Sequence, residues 1–185
     1  MPIRLVELHP IIVHFPIALL TISVILDVIA LFIRRWNVVY AATWLLFFGV
    51  IGALAAGLTG QISESHANTS AVAAILSLHK TLGFATGFVF ALLLLVRLMV
   101  LAPHILEAYR AQIPLAGKIG DTLYAIFPRV RSKNLPVFLI VVYFIGSIIG
   151  LVLLTLTGYY GGVMVYEHGV GTQAFIHAAH LLLPQ

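Results

Sequence analysis

The chain has no cysteine among its 185 residues, and only 9% of them are charged. Without thiols it cannot attach haem covalently in the c-type manner, ligate an iron–sulfur cluster through cysteine, build a thiolate zinc site or close a disulfide. Non-covalent b-type haem stays open. The scarcity of charge excludes a water-soluble fold, since an ordinary soluble domain is about a quarter charged. Asp and Glu total 6, and their scatter gives no paired-carboxylate site. H-E-x-x-H, P-loop and G-x-S-x-G patterns are missing as well, which makes hydrolase readings weak. No linker or low-complexity run divides the chain, so residues 1–185 read as a single domain.

What is abundant is apolar: 62% of the residues are hydrophobic. A bilayer core about 30 Å thick needs roughly 20 apolar residues in a helix, and four stretches meet that length, at about 11–33, 38–58, 78–101 and 135–156. The expected fold class is therefore an all-α integral membrane four-helix bundle. The first run is longer than the core of a signal peptide and no small-residue cleavage site follows it, so it is expected to remain in the mature protein. Gly60 to Ser70, rich in polar and turn-forming residues, reads as the break between the second and third spans. In the 104–127 loop Ile105, Leu106 and Tyr109, then Ile119, Leu123 and Ile126, alternate with charged residues, and 172–183 is similar. These read as interfacial helices lying on the membrane surface.

The pI of about 9.6 is a topology signal and not a sign of a nucleic-acid partner. Arg34, Arg35, Arg97, Arg110, Lys118, Arg129, Arg131 and Lys133 lie on one side of the four spans, Arg4 and Lys80 on the other. By the positive-inside rule the first hairpin and the long third loop are cytoplasmic. Both termini then face the periplasm or cell exterior, the expected setting being a bacterial inner membrane. Small residues (Gly49, Ala53 and Gly57, beside Gly52, Ala56 and Gly60, and Gly146 with Gly150) offer seams for close helix approach. Asp27 and Arg97 lie toward the cytoplasmic ends of their spans, where a neutralising pair or snorkelling would make them tolerable; a structural role is expected of them.

Of the 8 histidines, only His104 falls on the cytoplasmic side. His9, His14, His66, His79, His168, His177 and His180 fall outside. Neutral imidazole is the commonest metal ligand, and an ionisable group within a membrane is a functional candidate by default. His14 and His79 open their spans at similar depth. Gly83 and Gly87 follow His79 at i+4 and i+8, clearing one helix face for two turns, as a flat macrocycle requires and a single ion does not. The expected haem ligands are thus His14 with His79. His9, about 140° around the helix from His14, cannot share its iron and is paired with His168 as a second candidate. Plain packing glycines beside an interfacial histidine remain the alternative. His177 and His180, at i and i+3, read as incidental residues of a short amphipathic helix.

The H-P-x-x-V-H-F-P motif from His9 to Pro16, the histidine opening the third span, and G-G-x-x-V-Y-E-H-G-V-G from Gly161 to Gly171 resemble the bacterial membrane protein family catalogued as domain of unknown function 2231. The resemblance covers nearly the whole chain, and it makes His9, His14, His79 and His168 the motif histidines. Relatives fused to cytochrome c or Rieske-type modules imply a redox setting. The expectation is a b-type haem membrane cytochrome with one or two haems, an electron-transfer protein more than a stand-alone enzyme. Its partners would be membrane lipids and a cytochrome c or a respiratory or photosynthetic complex, with quinone a candidate ligand. A histidine-based copper or zinc protein and a cofactor-free assembly subunit are the other readings.

Overall fold

A computed structural model describes residues 8–33, 35–67, 72–126 and 137–170. Among them are five helices: α1 (Leu8–Ile33), α2 (Trp36–Ala67), α3 (Ala73–Ala108), α4 (Pro114–Ile126) and α5 (Val137–Tyr166). All but α4 are long and apolar enough to cross a membrane, and the fold is an all-α membrane bundle. Its outer surface carries large apolar side chains such as Phe32, Leu54 and Phe88, 81%, 65% and 71% exposed, as expected where lipid and not water is the solvent.

The helices outrun the expected spans. α2 continues through Gly60 to Ala67, because Gln61, Glu64 and Ala67 are good helix formers once the chain has left the apolar layer. α5 continues through Thr157-Gly158-Tyr159-Tyr160-Gly161-Gly162 to Tyr166. Glycines that would loosen a helix in water are tolerated here because an unpaired backbone group in hydrocarbon costs more than the entropy of ordering glycine. The glycine-rich segment is therefore helical as far as Tyr166. α3 runs on through Pro103 to Ala108, absorbing the first part of the expected interfacial segment, and α4 forms the rest. The 172–183 segment, with His177 and His180, lies outside the described residues.

The bundle consists of two tight hairpins, α1 with α2 and α3 with α5, each closed at a glycine. A Cβ at Gly49 would fall 2.6 Å from Leu20 Cδ2, and one at Gly150 would fall 3.0 Å from the Phe90 ring. These two seats occupy matching positions: Phe90 follows Leu20 by 70 residues, and Gly150 follows Gly49 by 101. The same offset of 70 carries the buried Pro16, Leu20, Ser23, Val24 and Asp27 of α1 onto Thr86, Phe90, Leu93, Leu94 and Arg97 of α3. The second hairpin thus repeats the first, with α4 inserted between its helices. α4 is fastened to the end of α3 by Arg110, which bonds Glu107 at 2.7 Å and Asp121 at 2.5 Å, and by Tyr124, whose hydroxyl lies 3.0 Å from His104 Nδ1.

Where the hairpins meet, Leu20, Val24, Leu46, Val50, Phe90, Leu93 and Leu94 form a dry core. Toward the α4 end, Arg97 and Asp27 form an ion pair of 2.6 Å with side chains only 10% and 3% exposed. The Tyr143 hydroxyl donates to the other Asp27 oxygen at 3.0 Å, Arg97 lies over the Tyr143 ring, and it reaches Thr43 at 3.4 Å. One cluster thereby touches all four long helices. Asp27→Ala, which strands a buried guanidinium, should destabilise the detergent-solubilised protein by about 3–5 kcal/mol. Thermal unfolding should show Asp27→Ala/Arg97→Met losing clearly less than Asp27→Ala alone; equal losses would show that the pairing does not matter.

Candidate functional site

At the opposite end of the bundle two imidazoles from equivalent positions meet. His9 stands in the first turn of α1, His79 lies 70 residues later in α3, and their ring centroids are 6.2 Å apart with planes at 89°. Each ring is held by the second helix of its own hairpin. His9 Nδ1 donates to the Ala56 carbonyl at 2.9 Å, with the Thr59 hydroxyl a looser neighbour at 3.5 Å. His79 Nδ1 donates to the Thr157 carbonyl, also at 2.9 Å.

A carbonyl only accepts, so Nδ1 carries the proton in both rings and Nε2 is left with its lone pair. Among the described residues no hydrogen bond reaches either Nε2. Fixing a ligating histidine through Nδ1–H to a carbonyl, with Nε2 free, is the usual outer-shell arrangement of metal-bound imidazole. The seats are built the same way. The carbonyl at Ala56 is followed four residues later by Gly60, and that at Thr157 by Gly161. A Cβ at Gly60 would lie 3.1 Å from His9 Cε1, and one at Gly161 would lie 3.2 Å from His79 Cε1. Glycine exposes the carbonyl one turn earlier and leaves room for the ring to reach it.

The other expected ligands are placed differently. His14 is not brought to His79: it lies on the exposed side of α1, its Nδ1 bonded to the Pro10 carbonyl of its own helix at 2.7 Å. The reason is helical phase. The buried stripe Pro16, Leu20, Ser23, Val24 and Asp27 extends back by two turns to His9, whereas His14 falls off it. His168 is not brought to His9 either. It sits at the C-terminal cap of α5, 3.4 Å from the Val163 carbonyl. There Gly169 turns at φ 68° and Val170 packs back on a cluster of Val72, Leu76 and Met164, so this part of the motif builds a helix stop.

Gly83 and Gly87 do lie below His79, with differing surroundings. A Cβ at Gly83 would make ordinary contact with Thr157 Cγ2 at 3.6 Å, while one at Gly87 would meet nothing within 4 Å. Among the described residues no helix packs closely on Gly87, so close helix approach there does not account for it. Below Gly83, the buried Thr86 hydroxyl meets that of Thr157 at 3.2 Å. Among the described residues no group of three His, Asp or Glu side chains gathers to hold a metal.

The sequence reading missed Ala56, Gly60, Thr157 and Gly161 as seats. The signal that finds them is the paired offset of 70 and 101 residues, which aligns both histidines and both glycines at once.

The family model for a predicted membrane protein, DUF2231, matches residues 6–174, and the chain belongs to that family. No curated protein and no solved structure matches it.

The seats make a direct prediction. Gly161→Val should displace the His79 ring and leave the His9 ring in place. In 15N NMR of histidine-labelled protein, the His79 Nδ1–H resonance is expected to shift or broaden while that of His9 stays; movement of both or neither would contradict independent seating.

Proposed function

We propose that this protein is a b-type haem membrane cytochrome in which a single haem is held between His9 and His79, at the junction of the two hairpins. The observation that carries the reading is the pair itself: two imidazoles from equivalent positions, each tied through Nδ1–H to a neighbouring helix and each with an Nε2 that no hydrogen bond reaches among the described residues. With a metal–nitrogen bond of about 2 Å and a ring radius of roughly 1 Å on either side, two imidazoles sharing one metal have centroids roughly 6 Å apart. The observed 6.2 Å matches. A metal ion taken up without a macrocycle needs further protein ligands, which disfavours a copper or zinc site. Thr157 covers Gly83, but at Gly87 nothing lies within 4 Å of where a Cβ would stand, and that open space two turns below His79 is what α3 would offer to one edge of the macrocycle.

A bound haem would supply a one-electron redox centre. The chain's part is to hold both imidazoles at fixed tautomer, and to close the site from the other end of the bundle with the dry layer of Leu20 and Phe90. With that layer closing the bundle, the histidine end is the side from which a redox partner would reach a bound haem. The Lys/Arg distribution supports placing that end on the outer face of a bacterial inner membrane, with both termini outside and α4 in the cytoplasm. A soluble cytochrome c, or another subunit of a respiratory or photosynthetic complex, is the partner class suited to that face.

Reduced-minus-oxidised spectra test the site. His9→Ala and His79→Ala should each abolish the low-spin bis-histidine signal, and His14→Ala should leave it. A full signal in both His9→Ala and His79→Ala would refute the assignment. Orientation is tested separately, and the absence of native cysteine makes the test clean: a cysteine at Gln61 should react with an impermeant maleimide in intact cells, and one at Lys118 only after lysis. The reverse pattern would invert the proposed topology.

A further inference from the structure

A cavity of about 420 Å³ lies between α2 and α3 at the histidine end, lined by Glu64, Leu76, Ser77, Lys80, Thr81 and Phe84 among others. The α3 residues in its wall, from Leu76 to Phe84, bracket His79, so the cavity lies at the depth of the imidazole pair and on the same helix. Its size is within the range of small-molecule sites, about 300–1,000 Å³. The repeat sharpens its interest. The position in α1 equivalent to Lys80 is Pro10, and the position in α5 equivalent to Glu64 is Val165, so the charges in this cavity belong to one side of the bundle only.

The lining specifies a ligand. Lys80 Nζ binds both Glu64 oxygens at 2.6 and 2.7 Å, which leaves the ammonium at least one free proton and the carboxylate free acceptor capacity. The Ser77 hydroxyl adds a group that donates or accepts. Because the two charges cancel, an anionic phosphate gains no net attraction here, and the Glu64 carboxylate repels it. Along α3 these polar groups alternate with apolar ones, Leu76 in the lining and Phe84 54% exposed at its edge. The complement is an uncharged polar head that both donates and accepts hydrogen bonds, joined to an apolar part that lies toward Phe84.

We propose that this cavity binds a quinone or quinol by its ring. The binding site stands apart from the His9–His79 pair and does not rest on the haem reading.

The test uses the full-length protein in phosphatidylcholine nanodiscs with a decyl-tailed benzoquinone as equilibrium-binding probe and its azido derivative for photolabelling. The label should map to α3 between Ala73 and Phe84 or to α2 near Glu64. Glu64→Gln/Lys80→Met removes both charges together, avoiding an unpaired ion, and Ser77→Phe fills the cavity. Each should weaken binding by about tenfold or more, with any haem spectrum unchanged. Labelling elsewhere, unaltered affinity in both variants, or displacement of the probe by phosphatidylglycerol but not by a neutral alkylhydroquinone would overturn the proposal. Failure of the haem reading looks different: no haem bands, with probe binding and its loss in the variants intact.

Discussion

The ion pair between Asp27 and Arg97 is the contact on which the arrangement of the two hairpins depends. Removing two charges from water costs several kcal/mol per ion, and the cost is recovered only where geometry is good and remaining polar atoms are satisfied. Here Tyr143 takes the second carboxylate oxygen and Thr43 lies beside the guanidinium, so each of the four long helices contributes one group. Apolar helices in lipid gain little from hiding apolar surface. A polar contact that is unfavourable unless all helices are in place therefore fixes their register in a way that greasy packing alone does not. Once Asp27 faces Arg97, helical phase carries Leu20 to Phe90 and, 18 residues from the charges, His9 to His79.

That ordering reflects the repeat of the first hairpin in the second: His9 with His79 and Asp27 with Arg97 are counterparts that meet. One histidine seat is thereby built twice, from Ala56 with Gly60 and from Thr157 with Gly161. The departures from symmetry are equally informative. α4 has no equivalent in the first hairpin, and neither Glu64 nor Lys80 has a charged counterpart in the other half.

Much of this was legible in the sequence. The four apolar runs set the number of long helices, the small residues marked the seams, and the isolation of Asp27 and Arg97 in apolar surroundings pointed to their pairing. The ends of α2 and α5 were not legible, because glycine and polar residues read as breakers in water whereas the membrane enforces a continuous backbone ladder. That the ring beside His79 is that of His9 was not legible for a related reason. His14 looked central because the first apolar run begins near it, but depth is not direction, and the buried stripe running back from Asp27 passes through His9. The role of Gly161 could not be read from its neighbourhood, since a glycine that seats a ring from another helix resembles any membrane glycine until the repeat is aligned.

The opposite signs of Asp27 and Arg97 govern which hairpins can associate. If two first hairpins met through the same surface, two carboxylates would face each other in a dry core; two second hairpins would oppose two guanidiniums. Either homotypic assembly carries uncompensated like charge, and only the mixed assembly neutralises it. The single sign difference therefore favours pairing of the first hairpin with the second over either like pairing.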